Sequence, residues 1–220
     1  MANALWNNIV KDFRIEFRNR FGVSVAVSFA VITTLAISLS AGAVPVGPAI
    51  HAVIFWLILY FSAMNGLAHV FIREEEEGTA LFLRLHASPG AVYGAKLAFN
   101  IAVLYMLAAV ITPLYIFFMN VAVASPWLLV IIVAAGSLAV ASSCTLLAAI
   151  AAKASGRGAL FTVISFPVVL PVLWVGMKLS ASAISTPGFA AAGGVVFLLA
   201  FSGALAAVSY ILFEYVWIEE

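Results

Sequence analysis

The sequence predicts an all-α, polytopic membrane protein: six transmembrane helices preceded by an amphipathic interfacial helix. Three observations carry that prediction. Of 220 residues, 65% are hydrophobic and only 9% charged, giving a mean hydropathy of +1.19. Apolar runs of more than ~18 residues recur along the chain, and ~20 residues rising ~1.5 Å each cross a ~30 Å hydrocarbon core. The charges gather between these runs. A transmembrane β-barrel is excluded, because its strands alternate apolar and polar residues in short segments.

The elements follow in order. Residues 3–20 predict a helix lying flat in the headgroup region. At helical spacing Leu5, Trp6, Ile9, Val10, Phe13 and Phe17 share one face, while Asn7, Asn8, Lys11, Asp12, Arg14 and Arg18 occupy the other. With this organised helix before it, the first apolar run is too long for the core of a cleavable signal. Spans are expected at residues 21–43, 49–72, 97–119, 127–152, 159–178 and 189–213. Together they make one transmembrane domain of residues 1–220 and leave no room for a soluble one.

Basic residues set the expected orientation. Lys11, Arg14, Arg18 and Arg20 precede the first span, Arg73, Arg84 and Lys96 lie between the second and third, and Lys153 and Arg157 between the fourth and fifth. Lys178 is the exception, and the connections at 44–48 and 120–126 carry no charge. The positive-inside rule then places the amino terminus and the 73–96 connection in the cytoplasm. An even number of spans brings the carboxyl terminus back to the same side.

The spans hold no Asp or Glu. Ion-coupled pumps keep ionisable relays inside the membrane despite the energetic cost, so coupling to protons or sodium is disfavoured. The phosphate-cradling G-x-x-x-x-G-K-[ST] pattern is also missing. A transporter built this way takes its energy from another polypeptide. No catalytic residues, metal centre or nucleic-acid partner are expected. The lone cysteine, Cys144, allows no internal disulfide.

A few polar and irregular features remain. Of the histidines His51, His69 and His86, His69 lies four residues after Asn65 and suits either a polar contact or a haem ligand. Lys178 follows Trp174 by four residues. It suits either a lysine lying over an indole or, as the isolated base of its side, a contact to an anionic substrate group. His69 and Lys178 are thus the haem-contact candidates. Pro167 and Pro171 interrupt the fifth span, as a static kink or as a gating or path-lining bend. Small residues at four-residue spacing, Ala135/Ala139/Ser143 and Gly203/Ala207, suit close helix contact within the chain or between subunits.

The most unusual stretch is residues 74–90. Four consecutive glutamates, residues 74–77, are followed by Gly78, an apolar-rich turn or two, and Ser88-Pro89-Gly90. A soluble partner could grip the protein here.

These features together resemble an ABC-2-type permease, and more specifically the heme exporter protein B family, the membrane subunit of the cytochrome c maturation ABC system. Phe13-Arg-Ile-Glu-Phe-Arg18, Glu76-Glu-Gly-Thr-Ala-Leu-Phe-Leu-Arg-Leu85 with Gly94-Ala-Lys96, and Pro167-Val-Val-Leu-Pro171 carry the resemblance, which covers essentially the whole chain. The full block of four glutamates departs from the family pattern. The resemblance implies a permease homodimer in the bacterial inner membrane. It also implies two ABC ATP-binding subunits that bind the ATP, and as further partners other maturation membrane subunits and a haem chaperone. Haem is the implied substrate rather than a resident cofactor, with export of haem and ATP-driven release of the haem-loaded chaperone both open. A lipid or polysaccharide permease of the same architecture is the alternative. A short cytoplasmic helix, here residues 79–87, is implied to enter a cleft on each ATPase. Thr79 can cap it after Gly78, and Ser88-Pro89-Gly90 can stop it. Leu81 and Leu85 share a face that Phe82 extends, with Glu77 and Arg84 as flanking charges.

Overall fold

In hydrocarbon every backbone N–H and C=O must be satisfied within the chain, and a helix does this segment by segment. The computed structural model describes residues 21–42, 45–67, 88–152, 157–186 and 192–218. Among them are six helices and no strand: α1 (Phe21–Ala41), α2 (Pro48–Leu67), α3 (Pro89–Phe118), α4 (Pro126–Ala152), α5 (Arg157–Ser185) and α6 (Ala192–Ile218). All six are long and apolar enough to cross a membrane. The interfacial helix expected at 3–20 and most of the 74–90 segment lie outside the described residues.

Two helices are longer than the apolar runs that announced them. α3 starts at Pro89 rather than at 97, because Ser88 is extended (φ −68°, ψ 144°) and Pro89 sits at the first helical turn. Ser88 O accepts from the N–H groups of Ala91 and Val92 at 3.0 and 3.1 Å. Proline suits this position, since its fixed φ is helical and its missing N–H would have no intrahelical partner. Ser88-Pro89-Gly90 therefore starts a helix as well as standing where an earlier one was expected to stop. α5 continues past Lys178 to Ser185 through a serine-rich tail. There the hydroxyls of Ser185 and Thr186 donate back to the carbonyls of Ala181 and Ser182, each at 2.9 Å.

The helix ends are closed by local chemistry. Gly42 ends α1 with φ +55°, its N–H donating to Ser38 O at 3.1 Å. Asn120 takes the equivalent left-handed position (φ +48°) after α3, and Val121 N–H reaches back to Ile116 O at 3.1 Å. The connection after α3 also completes α5: Ser125 N–H donates to Ala183 O at 2.9 Å, and Ser125 Oγ to Thr186 O at 3.1 Å. Terminal carbonyls left over by α5 are thereby satisfied.

These bonds define the two ends of the bundle. The end of α1 meets the end of α3 through Ser38 Oγ donating to Phe118 O at 2.7 Å. The start of α2 meets the end of α3 through His51 and Tyr115. At the opposite end Tyr93, early in α3, packs on Phe213, late in α6, with ring centroids 5.5 Å apart. The helices thus alternate in direction, and the described chain begins and finishes at one end of the bundle. The other end carries the last residues of α1 and α3 and the first of α2 and α4, and is called the turn end below.

α4 is the central helix and packs most extensively on α5 and α6. Of its most apolar stretch 78% is buried, against 17% for α6. Lipid tails are as apolar as leucine, so helices associate by close packing and polar contacts rather than by the hydrophobic effect. α4 answers with small residues on several sides: Ala135, Gly136, Ser137, Ala139, Ala141, Ser142, Ser143 and Cys144 are all buried. The two small-residue pairs therefore diverge. Ala135/Ala139/Ser143 packs inside, while Gly203 and Ala207 are exposed on α6.

Candidate functional site

The residues expected to couple the chain to an ATPase, Glu77, Gly78, Thr79, Leu81, Phe82, Arg84 and Leu85, all lie outside the described residues, as does His69. Lys178 is described: its ammonium sits 4.1 Å from the centroid of the Trp174 ring, on an exposed stretch of α5. Pro167 and Pro171 both lie inside α5, which remains one continuous helix across them. Pro167 is exposed and Pro171 half-buried. Between them Val169 is fully buried, and two residues before Pro167 the buried Ser165 lies beside the thiol of Cys144 on α4.

The interior of the bundle carries polar pairs that cross between helices. Trp56 Nε1–H donates to Ser180 Oγ at 2.9 Å, joining α2 to α5. Asn100 Nδ2–H donates to Thr145 Oγ1 at 3.0 Å, joining α3 to α4, while Asn100 Oδ1 has no partner. The hydroxyls of Ser142 and Ser202 lie 2.9 Å apart and join α4 to α6. Near the opposite end from the turns, Lys96 is buried in α3 with 1% of its surface exposed and makes a contact of its own with the rest of the chain. None of these groups is an acid or base pair suited to catalysis. Among the described residues no set of three His, Cys, Asp or Glu side chains is placed to hold a metal ion.

A cleft of about 430 Å³ opens at the turn end. Its walls come from the end of α1 (Ser38, Ala41), the first connection (Pro45, Val46), the start of α2 (Pro48, His51), the end of α3 with the following turn (Phe118 to Ala122), and Ile184 of α5. That size falls within the ~300–1,000 Å³ typical of small-molecule pockets. His51 is the titratable residue of its wall and is 8% exposed. Tyr115 Oη donates to His51 O at 3.1 Å, and His51 Nδ1 lies 3.1 Å from the same hydroxyl oxygen. Lys178 does not line this cleft. Sequence reading gave His51 no role of its own. Its tyrosine partner is 64 residues away, so nothing local announces the pair.

The comparisons with known proteins agree with this architecture. No curated protein matches the chain. Residues 3–215 match the family described as CcmB protein, over nearly the whole length and including the 74–90 segment. With that match and six membrane-spanning helices, the chain belongs to the CcmB (heme exporter protein B) family of multi-pass membrane permeases of the cytochrome c maturation system.

Proposed function

We propose that this chain is the permease subunit that couples a separate ABC ATPase to haem handling, either by exporting haem or by releasing the haem-loaded chaperone. The family match across residues 3–215 is the observation that carries the reading. The chain itself has no P-loop, and the carboxylate its described spans hold is Glu214, near the last turn of α6, so ATP bound by a partner is the energy source that suits it.

In this reading two copies assemble with two ATP-binding subunits in the bacterial inner membrane, beside other maturation subunits and the haem chaperone. The amino terminus, the 73–96 connection and the carboxyl terminus face the cytoplasm, because nine of the ten basic residues fall on that side. The helix of residues 79–87 docks on the ATPase through Leu81, Phe82 and Leu85, flanked by Glu77 and Arg84. Pro167 and Pro171 give α5 two points without a backbone donor, where it can bend during the stroke.

Deleting the gene and staining membranes for covalently bound haem tests this function. Loss of mature c-type cytochromes, restored by the wild-type chain, is the expected result. Normal c-type cytochromes with an altered envelope lipid or polysaccharide would instead favour the lipid or polysaccharide permease.

A further inference from the structure

We propose that the outer face of α5 docks a transmembrane helix of a different subunit, one that brings an Asp or Glu carboxylate to Lys178. The proposal rests on the reading of this chain as one subunit of a larger membrane assembly, and names the face and the chemistry of one contact.

One strip of α5 turns away from the bundle. Val163, Pro167, Leu170, Trp174 and Lys178 recur every three or four residues, so they share one side of the helix, and all five are exposed. Lipid tails answer this strip poorly. Lys178 lies within the membrane-spanning stretch Phe161–Ser185, about two turns before Ser185, a rise of about 10 Å. Its ammonium sits 4.1 Å from the ring centroid of Trp174, a residue one turn nearer the middle of the helix. A lysine serving lipid phosphates extends the other way, towards the headgroups. Pro167 and Pro171 have no N–H, so the carbonyls of Val163 and Pro167, both on the strip, lose the donor that a regular helix gives them. Freed backbone groups in hydrocarbon need partners from protein, and charges within spans face protein or water and are paired.

The carboxylate does not come from this chain. Its acidic residues all lie within 12–16, 74–77 and 214–220, leaving 17–73 and 78–213 without one. Among the described residues the sole acid is Glu214, near the finish of α6 at the opposite end of the bundle from the turns, whereas Lys178 lies towards the turn end. A second copy meeting this strip through its own would share the orientation in the membrane and set Lys178 against Lys178. Charge complementarity therefore selects a different polypeptide. Trp174, 57% exposed, offers the large aromatic anchor on which such interfaces centre.

A photoreactive benzoylphenylalanine placed at Leu170 of the full-length chain, in inner membranes of cells making the whole maturation system, reads what covers the strip. The expected result is a crosslink to one other membrane subunit, at a spanning peptide that contains Asp or Glu. Lys178→Arg keeps that crosslink. Lys178→Glu lowers it by about tenfold or more, because a buried acid then meets its like, and changing the identified acid to Lys in that background restores it. Membrane levels are matched across the set. Should Lys178→Glu fail to insert, the peptide crosslinked with Lys178 intact decides alone. A product holding only lipid or only a second copy of this chain, a subunit peptide without an acid, or a crosslink unmoved by Lys178→Glu would overturn the proposal. The deletion strain reads haem handling separately, so the face can fail while the function stands.

Discussion

Trp56 and Ser180 are joined across α2 and α5 by an indole N–H donating to the serine hydroxyl at 2.9 Å. The indole that makes this bond is fully buried and lies in a notch lined by Gly136 of α4 and Gly176 of α5. A Cβ at Gly176 would stand 2.6 Å from the ring, and one at Gly136 would overlap it. Three helices are thus keyed to one side chain. Gly176→Ala and Gly136→Ala are expected to destabilise the bundle by about 1–3 kcal/mol each through overpacking. Trp56→Phe removes the bond to Ser180, which in a membrane interior contributes about 0.6–1.7 kcal/mol, and shrinks the ring as well. Unfolding of the purified variants in mixed micelles measures both effects. Alanine at Gly136 without loss of stability would show that the notch does not key the helices.

Asn100 and Thr145 provide a second, independent test. Asn100 is fully buried and its amide donates to Thr145 Oγ1 at 3.0 Å. Thr145→Val keeps the volume and removes the acceptor, leaving Asn100 with neither amide atom satisfied by a side chain. A loss of about 1–2 kcal/mol is expected, given the modest worth of interhelical hydrogen bonds in membranes. Asn100→Leu combined with Thr145→Val should cost less than the two single changes added together, as measured in a double-mutant cycle.

The helix stops are testable by substitution at single residues. Gly42 has φ +55° with nothing within 4 Å of its missing Cβ, so alanine there meets backbone strain and no clash. Gly42→Ala is expected to lower stability by about 1–2 kcal/mol, the usual penalty for a left-handed residue with a Cβ. Asn120 occupies the same region with a side chain, and Asn120→Gly should leave stability unchanged or raise it. Equal thermal midpoints for wild type and Gly42→Ala would contradict the first expectation.

How far the sequence foretold this molecule can be judged from particular residues. Six apolar runs, each long enough to span, were legible because lipid imposes one length and one polarity on any spanning helix. The true starts and stops were less so. The extra turns of α3 begin at Pro89, a residue that reads equally well as the end of one helix and the start of the next. α5 runs on beyond Lys178 because serine hydroxyls bond the preceding turn, which hydropathy does not register. The roles of the helices were hidden too. α4 and α6 are equally greasy in sequence, yet one is central and the other peripheral, a difference carried by which neighbours their small residues meet. His51 became interesting only through Tyr115, and Trp56 only through two glycines on other helices.

Orientation is open to direct measurement. With the basic residues of the 73–96 connection in the cytoplasm, a phosphatase reporter fused after Glu220 should be inactive and a fluorescent or β-galactosidase reporter active. The same phosphatase inserted after Ala122, in the uncharged connection between α3 and α4, should be active. The reverse pair of results would turn the protein over and place the turn-end cleft in the cytoplasm.

Residues 79–87 are the proposed place where an ATPase pushes. Leu81→Asp with Leu85→Asp puts two charges on the proposed docking face while leaving the spans untouched. Co-purification of the ABC ATP-binding subunit with the tagged permease, at matched membrane levels of both, measures the contact. The predicted result is loss of the ATPase from the double variant, with membrane insertion and amount unchanged. Recovery of the ATPase at the wild-type ratio would contradict it.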